Sequence, residues 1–331
     1  MSAASAPLAL VTGASGFVGS HIVDELLRRG ARVRCLLRAT SSRRWLNTKP
    51  VGFVEGDVSA RKTLDAAVQG VDWIVHAAGL THARNAAEYQ RANALGTENL
   101  LDAALNARPA PRRFLYISSQ AAAGPSHDDG PVTEDIPPRP VSTYGVSKLA
   151  GETAVMRLAD RLPVVTVRPP TVYGPRETSL LKYFRAVKFH LRPELLGPRE
   201  FSVVHAEDHA RAVYECLSQE AAVGQIFFVA GPDLTSFQEM GDLIQRAMGT
   251  WAVRVPVPSF VLQAGALAGE VLGAITGRSP FFSREKFREI TAGPWTVSSR
   301  KIQRTLGWAP AVSLEQGILT TAGWYREEGW L

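Results

Sequence analysis

Tyr144 and Lys148 stand four residues apart in a stretch with helical spacing, and Ser118-Ser119 closes an apolar run earlier in the chain. That separation puts a phenol and an ammonium on one helix face, about 6 Å apart along the axis, so both can act on one substrate. A free phenol titrates near pH ~10, so acid or base work near neutrality calls for a stabilised phenolate, at about 1.4 kcal/mol per unit of lowering. The Lys148 ammonium would supply a favourable charge. Ser119 would donate or accept a hydrogen bond at a substrate oxygen, orienting it and steadying developing charge. The expected chemistry is proton transfer at an oxygen, with an acidified Tyr144 at its centre. Taken singly, these patterns also describe an exposed helix face and an ordinary turn or cap.

The context that selects between these readings is Thr12-Gly-Ala-Ser-Gly-Phe-Val-Gly19. It follows the short apolar strand Leu8 to Val11 and opens a helical segment, Ser20 to Arg29. Gly13 permits a turn closed to residues with a Cβ, Gly16 lets backbone N–H groups approach a pyrophosphate, and Gly19 lets helix and strand pack closely. Ser15, Phe17 and Val18 complete the cradle, and the positive end of the helix dipole faces the anion. A dinucleotide laid across this turn would bring a nicotinamide beside Tyr144, with Lys148 holding its ribose hydroxyls.

Positioning such a site takes a sheet. Apolar β-rich segments recur at Leu8–Thr12, Val33–Leu37, Gly52–Glu55, Trp73–Ala77, Arg113–Ser118, Val164–Arg168 and Gln225–Ala230. Helical patterns separate most of them, at Ser20–Arg29, Ala86–Asn106, Thr143–Asp160 and Glu207–Gln219. The alternation predicts an α/β Rossmann fold, a doubly wound parallel sheet whose strand ends and loops meet at one edge. After Arg168, prolines 169, 170, 175, 193 and 198 punctuate a region with one helical pattern, Leu180–His190. After Ala230 helices resume with little strand character. The expected division is a dinucleotide-binding domain, residues 1–172 and 202–230, and a smaller, mostly helical C-terminal lobe for substrate, residues 173–201 and 231–331.

Cofactor type follows from the end of the second strand, where NAD-selective folds usually place an acid for the ribose 2′-hydroxyl. Here Leu37 is followed by Arg38. A guanidinium suits a 2′-phosphate, bonding its oxygens and stacking on adenine, with Ser41 or Arg43 as a second contact. NADP is therefore expected ahead of NAD. Asp57 and Val58, after the third strand, are placed to meet the adenine edge.

At 331 residues, 45% hydrophobic and 21% charged, the chain has the composition of a soluble globular protein with a full core. Its net charge of +6 comes from dispersed arginines, without a basic run interleaved with aromatics, so nucleic acid is not an expected partner. Cys35 and Cys216 read as small buried hydrophobes, with neither disulfide framework nor metal spacing. No secretory signal is legible in Met1 to Pro7, making the cytoplasm the expected location. Phe260–Ile275 is apolar, but Gln263 and Glu270 interrupt it, so a buried or surface-docked helix is expected and not a transmembrane one.

Taken together the motifs resemble the extended short-chain dehydrogenase/reductase family, within the NAD-dependent epimerase/dehydratase-like superfamily. The resemblance covers nearly the whole chain: the glycine turn, Asp57-Val58, His76-Ala-Ala-Gly79, Asn93-Ala-Leu-Gly-Thr97, Tyr116-Ile-Ser-Ser119, Tyr144-Gly-Val-Ser-Lys148, Arg168-Pro-Pro-Thr-Val-Tyr-Gly-Pro175 and Val204-His-Ala-Glu-Asp208. It implies a catalytic set of Ser119, Tyr144 and Lys148. It also implies that Ala77, Ala78, Gly79 and Thr81 follow the cofactor phosphates and ribose, that Pro170 and Val172 flank the nicotinamide, and that Asn93 is structural.

Val33-Arg-Cys-Leu-Leu-Arg38 and Thr305-Leu-Gly-Trp-Ala-Pro310 look like the dihydroflavonol-reductase and 3β-hydroxysteroid-dehydrogenase-like branch. The implied activity is NADP(H)-dependent interconversion of a ketone or aldehyde and an alcohol on an apolar small molecule, held by a lobe that includes Phe281 and Phe282. The alternative is a nucleotide-sugar epimerase or dehydratase with tightly bound NAD, whose diphosphate Arg139, Arg176, Arg192 and Arg199 would contact. Against it, Gln120-Ala121-Ala122 follows Ser119 where dehydratases commonly carry an acidic pair. A non-catalytic NADP-sensing protein is a third reading, at odds with the intact set. The resemblance also implies a homodimer through Ala86–Asn106 and Thr143–Asp160.

Overall fold

In the computed structural model, which describes residues 6–126, 130–195, 200–276 and 283–331, the alternation expected from sequence is realised. The first half runs β1 (Leu8–Thr12), α1 (Phe17–Arg28), β2 (Arg32–Leu37), β3 (Val51–Glu55), α2 (Asp65–Val68), β4 (Trp73–His76), α3 (Ala86–Tyr89), α4 (Gly96–Asn106), β5 (Arg113–Ile117), α5 (Gln120–Ala123), α6 (Thr143–Met156) and β6 (Val164–Arg168). The second continues β7 (Thr171–Tyr173), α7 (Ser179–Lys188), β8 (Leu191–Leu195), β9 (Glu200–His205), α8 (Ala206–Ser218), β10 (Ile226–Phe228), β11 (Leu234–Ser236) and α9 (Phe237–Met248). It ends with β12 (Val253–Val257), α10 (Ser259–Thr276), α11 (Arg284–Thr291), α12 (Arg300–Leu306) and α13 (Leu314–Glu327).

Seven strands form one sheet in the order β3-β2-β1-β4-β5-β6-β10, every neighbouring pair parallel. The order reverses between β1 and β4, and a crevice opens beyond the C-terminal ends of strands at such a reversal. Period-two alternation gives the inner strands two buried sides, while β3 at the edge buries neither. Ala9 and Val11 join a core with Ile22, Leu26 and Val213 on one face, while Leu10 joins Ile74, Leu100 and Phe114 on the other. Cys35 and Cys216 are both buried in the first of these cores.

A further core gathers Tyr173, Phe184, Ile244, Ile318 and Tyr325 from β7, α7, α9 and α13. It is less purely helical than the sequence suggests. β11 pairs antiparallel with β9, and β12 pairs parallel with β8. Pro193 and Pro256 disguise the second pair, since proline within a run argues against a strand unless that strand lies at an edge. Ala86–Asn106 is also not one α-helix: Gln90–Leu95 is π-helical, a wider turn set between α3 and α4.

Candidate active site

Because β1, β4, β5 and β6 are parallel, the segments after them converge on one edge, and these carry Gly13–Gly19, Ala77–Thr81, Ser118-Ser119 and Pro169-Pro170. Gly13 has φ +69°, and a Cβ on it would lie 2.7 Å from the Ala77 backbone, so only glycine lets the first two loops touch. Gly16 is exposed and extended, its amide donates to the Gly13 carbonyl at 3.0 Å, and no side chain caps the first turn of α1. That leaves the first-turn N–H groups without a side-chain cap, with Ser15, Phe17 and Val18 half-buried around them. The arrangement fits a dinucleotide pyrophosphate.

The β1 and β4 loops are joined by motif residues to which the sequence assigns no such role. Thr12 Oγ1 accepts from the Ala78 amide at 3.1 Å and bonds His76 Nδ1 at 2.8 Å, while His76 Nε2 meets Thr97 Oγ1 at 3.0 Å. Burial and the charge of Lys148 push His76 down to about 3, so it serves as a neutral bridge. Asn93, buried in the π-helical turn, brackets Leu80: its Oδ1 accepts from the Leu80 amide and its Nδ2 donates to the Leu80 carbonyl and to Ser147 Oγ. This holds Gly79 against the Lys148 side of the crevice, while Thr81 is exposed and accepts from the Tyr89 hydroxyl at 3.2 Å.

Past the ends of β2 and β3, Arg38 is exposed and its amide donates to Ser41 Oγ at 3.1 Å, while Arg43 lies over the Phe53 ring at 4.7 Å. The Asp57 carboxylate caps its own turn through Ser59, and the Val58 carbonyl accepts from Asn99. Pro170 is buried and Val172 half-buried in β7.

Tyr144 lies in the first turn of α6, which starts where Ser142 Oγ accepts from the Gly145 amide at 3.1 Å. Gly145 lets this turn rest on α5, since a Cβ there would sit 2.3 Å from the Ala121 carbonyl oxygen. The contact brings the Tyr144 hydroxyl close enough to Ser119 for the serine to favour its ionised form, while Ser119 Oγ caps α5 by accepting from the Ala121 amide at 3.1 Å. The Tyr89 ring lies 5.8 Å from that of Tyr144.

The ionisation of this pair differs from the sequence-based expectation of an acidified phenol. Burial pushes Tyr144 up to about 12; Ser119 pulls it down, and the carboxylate of Glu289 raises it further. Lys148 is buried, donates to the Ile117 carbonyl at 2.7 Å and lies over the Tyr116 ring at 4.2 Å. Burial lowers it to about 7, against the attraction of Glu152. Desolvation therefore outweighs the charge pairing read from the four-residue spacing.

Two carboxylates of α11 also reach α6. Ser142 Oγ donates to Glu289 Oε1 at 2.5 Å, and the Thr143 amide and hydroxyl both donate to Glu285. No sequence signal pointed to them, because their partners lie more than a hundred residues away. The arginines assigned to a sugar diphosphate are occupied or apart: Arg176 binds Ser20 and Asp24, Arg192 is buried against Glu194 and Asp242, and Arg139 is exposed. Arg199, Phe281 and Phe282 lie outside the described residues. Among the described residues no His, Cys, Asp and Glu cluster could hold a metal ion, and no helix is long and apolar enough to cross a membrane.

The sequence profile of the NAD dependent epimerase/dehydratase family matches residues 9–230, spanning the whole seven-stranded sheet except the first residue of β1. The chain belongs to that family. It is an NAD(P)-dependent oxidoreductase of the extended short-chain dehydrogenase/reductase type. The ceramide reductase of Caulobacter vibrioides is 32% identical over 97% of this chain and 95% of its own length. The crystal structure of gox2253 superposes with a TM-score of 0.81 at 28% identity, covering 98% of this chain and 99% of that one. A dTDP-glucose 4,6-dehydratase, DesIV of Streptomyces venezuelae with NAD bound, has a TM-score of 0.77 at 26% identity, covering 97% and 98%. The family thus includes both a reductase and a sugar-nucleotide dehydratase at similar distance.

Proposed function

We propose that this oxidoreductase uses NADP(H) to interconvert a ketone or aldehyde and an alcohol on an apolar small molecule, with Ser119, Tyr144 and Lys148 as its catalytic residues. The observation that carries the reading is the placing of Tyr144 beside Ser119 and one helical turn from Lys148, at the sheet edge that also bears the glycine turn. Bound nicotinamide would supply the hydride. Tyr144, which burial keeps protonated through the neutral range, gives its phenolic proton to the substrate oxygen as that oxygen gains charge. Ser119 donates a hydrogen bond to the same oxygen, and Lys148 orients the ribose beside it. A tyrosine that holds its proton favours the reductive direction.

Gly13, Ser15–Gly19, Ala77–Gly79, Thr81, Asp57, Val58, Pro170 and Val172 are the proposed cofactor contacts, and Arg38, with no acid at the end of β2, supports NADP over NAD. Residues 173–201 and 231–331 form the proposed substrate lobe. Support for an apolar substrate comes from the ceramide reductase relative and from the engagement of Arg176 and Arg192 within the protein. Exposed Leu95 and Val146, on the two helices expected at a dimer contact, support a homodimer.

Loss of NADPH absorbance with a panel of apolar ketones and aldehydes tests the reading. Turnover is expected with at least one member, and Tyr144→Phe should lower kcat by about 10²–10⁴ while leaving NADPH affinity intact. A panel without turnover, together with NAD retained through purification and thermal stabilisation by a UDP or dTDP sugar, would replace it with sugar-nucleotide chemistry.

A further inference from the structure

Two adjoining elements hold large apolar side chains in water. In the β8–β12 ribbon Val253 lies opposite Leu191, and the alternation turns Arg192 inward, where it is buried against Glu194 and Asp242. The opposite side faces out, leaving Leu191 and Val253 52% and 56% exposed, with Phe189 and Trp251 at 73% and 62% just before their strands. α10 begins two residues past β12. It packs on α11, buries Ala266, and leaves Phe260 and Leu267 at 69% and 53% exposure. Isolated surface leucines are ordinary, but bulky side chains along a ribbon and the helix that follows it mark an interaction surface.

Charge indicates what meets it. α7 leads straight into Phe189, burying Leu181, Phe184 and Val187 and exposing Lys182, Arg185 and Lys188 at helical spacing. Acids beside the ribbon and α10 are already matched, Glu194 and Asp242 by Arg192 and Arg254, Glu270 by Arg284. α11, on which α10 packs, reaches the site through Glu289 and Glu285, which accept from Ser142 and Thr143 beside Tyr144, so the patch adjoins the crevice. An apolar patch with a basic flank suits an interface-lying protein, and no helix among the described residues could instead span the bilayer. A second copy on a two-fold axis would set the same basic flank against itself.

We propose that the ribbon and α10 seat the protein on a membrane surface bearing anionic lipid headgroups, with Phe189, Leu191, Trp251, Val253, Phe260 and Leu267 in the interface and the α7 cations among the headgroups. This deepens the proposed function and rests on it in one respect: an apolar substrate would be taken from the bilayer into a crevice opening beside it. Co-sedimentation of the full chain with vesicles of phosphatidylcholine, alone or mixed with phosphatidylglycerol, tests the seating.

The protein should pellet with the anionic vesicles, at least tenfold more than with phosphatidylcholine alone, and high salt should release part of it. Phe260→Asp with Leu267→Asp should abolish pelleting, Phe189→Ser with Trp251→Ser should weaken it, and Arg185→Glu with Lys188→Glu should remove the anionic preference. Reduction of a water-soluble ketone should be unchanged in all three. Wild-type protein left in the supernatant with both vesicles would overturn the proposal, as would a dimer in light scattering that the Asp pair converts to monomer. Vesicle binding without turnover of any ketone would leave the seating standing and sink the proposed reaction instead.

Discussion

Ser142 Oγ donates a 2.5 Å hydrogen bond to Glu289, so a carboxylate from α11 is anchored two residues ahead of Tyr144. Glu285 holds Thr143 in the same way. Acids are favoured at a helix N-terminus by the dipole, which explains why α11 settles on α6 there. The same charge adds to burial in opposing formation of the phenolate on Tyr144.

Glu289→Gln keeps an oxygen to accept from Ser142 but removes the charge. The alkaline limb of the carbonyl-reduction profile should then move to lower pH, by about half a unit for a charge several ångströms away in a partly solvated cleft. The measurement is kcat against pH, with an ultraviolet titration of the phenol beside it. A limb that stays in place would show Glu289 to be an anchor alone.

Gly145→Ala tests the contact that brings α6 onto α5. The added Cβ would fall 2.3 Å from the Ala121 carbonyl oxygen, a backbone atom that cannot swing aside. Overpacking of this kind costs about 1–3 kcal/mol, and relief by moving α6 would pull Tyr144 from Ser119. A lowered melting temperature together with a fall in kcat larger than any change in KM is expected. Wild-type kcat in a stably folded variant would mean that the seating of Tyr144 beside Ser119 is not needed for turnover.

Much of this was legible in the chain because the information is local. Leu8–Thr12 and Val164–Arg168 are strands with the bounds expected, since both are mostly apolar runs preceded by proline and buried on two sides. The glycine turn and the Tyr144–Lys148 spacing could be read because a few consecutive residues carry them. What could not be read depends on distant partners. Glu285 and Glu289 carry no mark until α11 is laid against α6, and Thr12 and His76 become a bridge only when β1 and β4 pair. The ionisation of Tyr144 depends on the fold in the same way. Spacing reveals a neighbouring charge, whereas burial, the larger influence, belongs to the folded chain.

Arg38 sits exposed at the end of β2, with its backbone fixed by Ser41. A hydrogen bond to a charged group contributes about 1.5–3 kcal/mol, so Arg38→Ala should weaken NADPH binding by about ten- to 150-fold. NADH, without the 2′-phosphate, should be affected by less than about threefold. Dissociation constants for both cofactors, measured by nucleotide fluorescence, give the comparison. Equal losses for the two would withdraw Arg38 from cofactor choice.

Lys148 ties the site to stability through pH. In an unfolded chain its ammonium titrates near ~10.4, while burial holds it at about 7 in the folded protein. Below pH 7 both states carry the charge, and folding bears the full penalty of desolvating it. Between about 7 and 10.4 the unfolded chain binds the proton and the folded one does not, so this contribution to stability improves as pH rises. Tyr144, raised by burial, works in the opposite sense above pH ~10, which confines the useful window to lower pH. Lys148→Met should therefore raise the melting temperature of the cofactor-free protein by about 2–5 °C at pH 6, with the gain shrinking towards pH 10. A variant less stable than wild type at pH 6 would mean that the Ile117 hydrogen bond and the Tyr116 ring contact outweigh desolvation. In that case Lys148 would stay charged well above neutrality.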